Sequence, residues 1–265
     1  MLQRLLDWHR ARRARRLAIA DFQWQAAEAT LPFLAGLSPT EREALRQMAR
    51  QFIADKQWNA ARGLALSADI QLRIALQACL PVLNLGLDWY RGWVGIVVYP
   101  GDFVIPRQLM DEDGVVHEFD DEVLGEAWDG GPVLLGWFDS SAQPEVESGE
   151  INIVIHEFAH KLDMRHGLPD GMPPLHADMS RERWRNVMEE AFEDLNLCLD
   201  NDEEPPIDPY AAEAPSEFFA VCSEAFFTRP SSLQNAYPEV YRELACFYRQ
   251  DPLKRLAAPG ACQTA

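Results

Sequence analysis

Residues 154–163 read VIHEFAHKLD and contain the pattern His-Glu-x-x-His. On a helix, His156 and His160 lie one turn apart on the same face, so both imidazoles can reach one metal ion. Glu157 projects beside the first histidine, toward a water molecule at the metal. The opposite side of this predicted helix is apolar, with Ile151, Val154, Ile155, Phe158, Ala159 and Leu162. The pattern predicts a zinc site on the helix face that the core leaves free.

A catalytic zinc site normally takes three protein ligands, so the two histidines need a third one. His166 lies ten residues after His156, as in the metzincin pattern, but Asp163 stands where that pattern needs a glycine. A helix that continues to about Arg165 points His166 away from the other two histidines. We therefore expect His166 to be a cation at the C-terminus of the helix, where the helix dipole favours it.

A second apolar helix supplies the other candidate ligands. Pro215 can open it, and Glu217 and Glu224 lie seven residues apart, two turns along one face. A carboxylate on so apolar a helix is costly to bury unless it is paired or bound to metal, so at least one is expected to face a cation. A solvated face is the alternative for both, and applies more readily to Glu224.

Hydropathy patterns divide the chain into parts. Residues 39–83 show helical spacing, whereas β-branched and aromatic residues predict strands in Trp89–Pro106 and at 132–138. Helical patterns return at 150–166, 180–199, 215–228 and 238–249. We expect a basic N-terminal segment at 1–20, a helical N-terminal part at 21–88, a catalytic core at 89–252 and a C-terminal tail at 253–265.

Composition excludes several classes of protein. The chain has 265 residues, 48% of them apolar, which is enough to bury a substantial core. Lys+Arg total 24 against Asp+Glu 42, a net charge of −18 that repels nucleic acids and anionic membranes. The arginines of residues 1–20 are expected to form a solvated tail or an exposed helix face. We expect no direct nucleic-acid or membrane partner.

The sequence shows no pattern typical of export or membrane insertion, and its cysteines are not arranged for disulfides. We therefore expect a cytoplasmic protein. No run of 18 uncharged apolar residues occurs, and the arginine-rich start is followed by Asp21 rather than by an apolar region of adequate length. The five cysteines are widely spaced and never form a Cys-x-x-Cys pair. This usage fits free thiols in a reducing compartment.

Further short runs around the histidine motif carry a family resemblance. They are FIADK (52–56), IALQAC (74–79), VVYP (97–100), GPV (131–133), DG (170–171), PPL (173–175), PY (209–210), EFFAV (217–221) and SE (223–224). With residues 154–163, they make about residues 30–250 resemble the Mlc titration factor A family of bacterial zinc metallopeptidases, whose core is akin to the protease domain of anthrax lethal factor. The resemblance implies an α+β fold with a zincin-like metallopeptidase core, a small mixed sheet and a helical N-terminal part.

The same resemblance implies roles for individual residues. His156, His160 and Glu217 would bind Zn²⁺. Glu157 would be the general base, and Tyr210, seven residues before Glu217, would assist the transition state. For Tyr210 the alternative is an ordinary surface tyrosine after a proline-rich loop.

The resemblance implies two possible functions. The first is a zinc peptidase that cleaves short peptides in an aminopeptidase-like manner, with Glu157 moving the proton and Tyr210 donating to the oxyanion. The second is a regulator that binds a transcriptional repressor and hydrolyses peptides weakly. The intact set of site residues favours the first, because a pure binding module needs no general base. Asp163, three residues after His160, could orient an imidazole as an acceptor.

Overall fold

The computed structural model describes residues 17–110, 116–138 and 151–257. Residues 1–16 of the expected basic segment and 258–265 of the expected tail, with Cys262, lie outside these ranges. The helices are α1 (Asp21–Ala29), α2 (Pro39–Asp55), α3 (Ala68–Cys79), α4 (Ile153–Asp163), α5 (Arg181–Asp200), α6 (Pro215–Thr228), α7 (Pro230–Ala236), α8 (Pro238–Tyr248) and α9 (Pro252–Ala257). The strands are β1 (Gln57–Ala60), β2 (Gly95–Pro100), β3 (Phe103–Met110), β4 (Val116–Val123), β5 (Gly125–Ala127) and β6 (Val133–Trp137).

The fold is a mixture of helices with a small mixed sheet, as the sequence predicts. The sheet has the strand order β1-β2-β6-β5. The first three strands are parallel, with Ile96 of β2 opposite Val133 of β6. β5 runs antiparallel to β6, with Gly125 opposite Leu135. β3 and β4 form a separate antiparallel pair.

β1 lies in a segment for which the sequence pattern indicates only helices. The helical spacing of residues 39–83 is broken after α2, and residues 57–60 pair with β2 instead. Trp58 lies on this strand and its indole nitrogen donates to the carbonyl of Ile53 at 3.3 Å. Four residues are too few for a period of two to stand out between two amphipathic helices.

Local sequence signals account for where the main helices begin. Ser38 and Glu41 form a capping box around Pro39, with 2.9 Å from the Ser38 amide to the Glu41 carboxylate. Asn152 caps α4, because its side-chain oxygen accepts from the amide of Ile155 at 3.0 Å. α6 has Pro215 in its first turn, as the sequence predicts.

α4 packs against β5, β6 and α6. Phe158 of α4 contacts the rings of Phe52, Tyr90 and Trp93, with centroids 5.1–5.7 Å apart. One continuous core of buried residues extends from Trp24 to Tyr248 and includes the apolar side of α4. The centre of α4 is thus held from several elements at once.

The C-terminal end is more ordered than the sequence predicts. Residues 253–257, expected to belong to a tail, form most of α9. Arg255 of this helix pairs with Glu41 of α2 at 2.8 Å. In the described part of the chain, no helix has the length and apolarity that crossing a membrane requires. Four cysteines in this part are free thiols, at positions 79, 198, 222 and 246.

Candidate metal centre

His156, His160 and Glu217 meet at one point between α4 and α6. Oε2 of Glu217 lies 3.0 Å from Nε2 of His156 and 3.1 Å from Nε2 of His160. The two Nε2 atoms are 3.2 Å apart. Both histidines are buried, and the side chain of Glu217 keeps only 19% exposure. The structure therefore brings together the three side chains that the family resemblance implies as metal ligands.

The geometry of these three atoms fits a metal ion. Ligand atoms at about 2.0–2.1 Å from a tetrahedral ion lie about 3.3 Å from one another. The separations of 3.0–3.2 Å are close to that value. Two imidazole nitrogens and one carboxylate oxygen form a donor set that suits a divalent transition metal ion.

Glu157 lies in a buried place against the edge strand. Its side chain keeps 4% exposure, and its Oε2 atom has no hydrogen-bond partner among the described residues. A Cβ atom on Gly125 of β5 would lie 2.7 Å from Glu157 Oε1, so only glycine leaves room for this carboxylate. Burial raises the pKa of Glu157 to about 8, with a further rise from Glu217, although His156 opposes the shift.

Tyr210 stands at the open side of the same site. It belongs to the 3₁₀ turn Pro209–Ala212, which begins at Asp208, whose carboxylate accepts from the Tyr210 amide at 2.9 Å. The ring centroids of Tyr210 and His156 are 5.9 Å apart, and Tyr210 is 53% exposed. Burial of its hydroxyl and the nearby Glu217 raise the pKa of Tyr210 to about 12, so the phenol keeps its proton at neutral pH.

The electrostatics of the three converging side chains favour positive charge between them. Burial raises the pKa of Glu217, but hydrogen bonds from His156 and His160 outweigh this effect and lower the pKa to about 2. Burial lowers the pKa of His156, yet contacts with Glu217 and Glu224 raise it to about 10. A proton or a divalent cation meets the same demand, because each compensates the buried carboxylates.

Glu224 is buried and the solvated-face alternative is wrong for it. It keeps 4% exposure, and its Oε1 atom accepts from the backbone amide of Asn152 at 2.7 Å. Its Oε2 atom lies 3.6 Å from Nδ1 of His156. The spacing of two glutamates on one apolar helix predicts that at least one of them faces a cation. In the structure both approach His156, Glu217 at Nε2 and Glu224 at Nδ1.

His166 and Asp163 do not contact the converging ligands. His166 is exposed in the 3₁₀ turn Met164–His166, as the sequence predicts. Asp163 accepts from the Gly171 amide at 2.8 Å rather than from an imidazole. Its Oδ1 atom and Nδ1 of His160 are both buried without a hydrogen-bond partner among the described residues. Burial raises the pKa of Asp163 to about 6.

α4 differs from the expected helix with one free face. Every residue from Val154 to Asp163 is buried, including the ligands. α6 and β5 cover the polar side, which the period of the apolar residues could not reveal. Gly125 was missed for the same reason, since its contact with Glu157 joins residues 32 positions apart and no local signal marks it.

Comparison with known proteins identifies the family. A sequence model described as glucose-regulated metallo-peptidase M90 matches residues 5–249. A protein of Klebsiella pneumoniae (strain 342) named Mlc titration factor A is 38% identical over 243 residues, or 91% of each chain. Proteins of the same name from Cronobacter sakazakii (37% over 241 residues, 90% of each chain) and Yersinia pestis (strain Pestoides F; 38% over 237 residues, 88% of this chain and 86% of the relative) are also similar.

These matches confirm the family resemblance. They cover the histidine motif, Tyr210 and Glu217 within one continuous match of the family model. A family of metallo-peptidases implies a metal ion, and the His-His-Glu group in the structure could hold one. The chain therefore belongs to the glucose-regulated metallo-peptidase M90 family.

Proposed function

We propose that this protein is a zinc-dependent peptidase with a zincin-like core, in which His156, His160 and Glu217 hold the zinc ion. The observation that carries the proposal is the convergence of these three ligand atoms within 3.0–3.2 Å beside the buried carboxylate of Glu157. Zinc is favoured over harder cations because two of the three donors are imidazoles.

The catalytic roles follow from the positions of the side chains. A bound zinc ion would supply Lewis acidity and make water more acidic near neutral pH. Its positive charge would also offset the burial that raises the pKa of Glu157, so that the carboxylate can take a proton from the attacking water and later give it to the leaving amine. The hydroxyl of Tyr210 donates a hydrogen bond to the carbonyl oxygen of the substrate as that oxygen gains negative charge.

The edge of β5 is the surface that we assign to the substrate backbone. The carbonyl of Leu124 accepts from Gly136 at 2.7 Å and the amide of Trp128 donates to Pro132 at 3.1 Å, so these groups face β6. Since backbone groups alternate along a strand, those of Gly125 and Ala127 point away from β6. An extended peptide that pairs there passes directly beside Glu157, because Gly125 touches its carboxylate.

Acidic side chains around the site favour a substrate with a free amino terminus. Asp121 and Glu213 lie near enough to Tyr210 to raise its pKa, although burial and Glu217 have larger effects. Their negative potential suits the ammonium group of a peptide. This is the support for aminopeptidase-like cleavage of short peptides.

The second candidate function is regulation through a transcriptional repressor. The observation that favours it is 38% identity over 91% of the chain to a protein named Mlc titration factor A. We propose that this chain also binds a repressor of that kind, which places it in the cytoplasm. Peptidase activity and repressor binding are compatible, and we assign the peptidase to residues 89–252 with the helical part 21–88 as its support.

A peptide-library digest tests the peptidase. The wild-type protein is expected to cleave short peptides, to stop when a chelator is added and to recover when zinc is returned. Glu157→Gln is the matched control, because the amide cannot accept a proton, and it should lower the rate by about 10²- to 10⁴-fold. Chelator-resistant cleavage, or full activity of Glu157→Gln, would refute the proposal.

The regulatory function needs a separate assay. Purified Mlc repressor should bind wild-type protein and Glu157→Gln with equal affinity, since the substitution changes only proton transfer. Absence of binding to both proteins would remove the regulatory function and leave the peptidase untouched.

A further inference from the structure

Glu224 lies on the far side of His156 from the ligand cluster. The imidazole has two nitrogens, and Nε2 faces Glu217 at 3.0 Å while Nδ1 faces Oε2 of Glu224 at 3.6 Å. A histidine that gives the lone pair of Nε2 to a metal carries its proton on Nδ1. The carboxylate of Glu224 is placed to attract that proton.

The Glu224 side chain is fixed by a chain of contacts that begins in the helical N-terminal part. Its Oε1 atom accepts from the Asn152 amide at 2.7 Å. The side-chain amide of Asn152 donates to Oε1 of Gln77 at 2.8 Å, and the amide of Gln77 donates to the Arg73 carbonyl at 3.1 Å. Glu224 and Gln77 are both buried, with 4% and 7% exposure. The carboxylate therefore has little freedom to turn away from His156.

The other histidine has no such support. Nδ1 of His160 has no hydrogen-bond partner in the described part of the chain. Asp163, one turn further along α4, accepts from the Gly171 amide with Oδ2, and its Oδ1 atom makes no hydrogen bond to the imidazole. The two imidazoles are thus held in different ways. His156 is oriented by a carboxylate from α6, whereas His160 is oriented by its place on α4 and by Glu217.

We infer that Glu224 is a positioning residue for the metal centre, which holds His156 in the tautomer and orientation that bind metal and is itself held by Asn152 and Gln77. The inference rests on the proposed zinc site but concerns metal affinity, not catalysis. A carboxylate behind a metal-binding histidine raises the basicity of the ligand, and loss of such a partner typically costs about 10- to 100-fold in metal affinity.

Zinc affinity, measured by competition with a chromophoric chelator, tests this inference. Glu224→Gln should bind zinc about 10- to 100-fold more weakly, because an amide facing Nδ1 can donate and so favour the wrong tautomer. Gln77→Met, which keeps the side-chain volume but removes the acceptor for Asn152, should lower the affinity by a smaller factor. The effect of Gln77→Met is expected to be the smaller one because Gln77 acts on the imidazole only through Asn152 and Glu224, whereas Glu224 faces it directly.

Glu243→Gln is the matched control. Glu243 of α8 is a carboxylate of similar burial, at 5% exposure, that pairs with Arg183 of α5 and not with the converging histidines. This variant should bind zinc like the wild type even if it is less stable. Equal zinc affinity of Glu224→Gln and wild type, or equal losses in Glu224→Gln and Glu243→Gln, would overturn the inference.

Proton NMR of the wild-type protein tests the same inference without any variant, so the test does not depend on whether Glu224→Gln folds. In zinc-loaded protein, the Nδ1 proton of His156 should give a downfield resonance that exchanges slowly with water, and that of His160 should exchange faster. The reverse order would overturn the role of Glu224. A wild-type chain that binds no zinc would overturn the proposed function as well, so the two failures are distinguishable.

Discussion

Replacement of Gly125 by alanine is the sharpest test of how the sheet meets α4. The added Cβ would lie 2.7 Å from Oε1 and 2.8 Å from Cγ of Glu157, and 2.8 Å from Cγ1 of Ile153. Ordinary contacts of a methyl group begin at about 3.5 Å. Either β5 or Glu157 must therefore move by about 0.7 Å, and Glu157 is too buried to swing into solvent.

The size of the effect follows from that displacement. A misplacement approaching 1 Å at a catalytic group costs about 10²-fold in rate. Overpacking of this kind costs about 1–3 kcal/mol of stability, and each kcal/mol lowers the melting temperature by about 2–4 °C in a chain of this size. Gly125→Ala should thus lose about 100-fold in kcat on a cleaved peptide, with normal zinc content and a slightly lower melting temperature.

Gly95→Ala is the control in the same sheet. Its Cβ would approach Cβ of Pro132 to 3.0 Å, a milder contact that does not involve the site. This variant should keep its activity. Wild-type kcat and melting temperature in Gly125→Ala would refute the placement of Glu157 against β5.

Three further outcomes are expected. Glu217→Ala should empty the metal site in a metal analysis while His166→Ala leaves it full, and the opposite result would make His166 the third ligand. Tyr210→Phe should lower kcat by about 10²- to 10³-fold with KM and zinc content unchanged, because the lost hydroxyl acts only on the transition state, and full kcat would contradict that role. Burial raises the pKa of Glu28, but hydrogen bonds from two arginines lower it below the ordinary value, so its stabilising contribution is present above about pH 4.5 and is lost as the pH falls through the folded pKa. Glu28→Gln should cost about 1 kcal/mol near pH 7 in denaturant titrations and less at low pH; equal losses at both pH values would show that charge is not the cause.

Local patterns predicted the parts of the fold that local physics determines. α4 and α6 were predicted because apolar periodicity, Pro215 and the histidine spacing are all encoded within one helix length. β1 was not predicted because four residues carry too little periodicity. α9 was not predicted because its packing depends on an ion pair between Arg255 and Glu41, more than 200 residues away.

The site shows the same division between local and long-range information. The positions of His156, Glu157 and His160 relative to one another follow from the helix alone. The place of Glu217 came from the family resemblance, since two glutamates at helical spacing could not be told apart by sequence. Glu224 was left open because its contact with His156 depends on how α6 lies against α4, a matter of tertiary packing.

The burial of α4 brings several carboxylates close to one imidazole in the interior. Glu157, Glu217 and Glu224 all interact with His156, and a buried charge without compensation costs several kcal/mol. Lys161, a buried cation on the same helix, favours the charged form of Glu157, but its amine donates to backbone carbonyls of the turn between β5 and β6 and makes no ion pair with the carboxylates. A proton or a divalent cation between the imidazoles and Glu217 would compensate the carboxylates that α6 and β5 cover. The packing of this polar face and the metal site that we propose there thus call for the same positive charge.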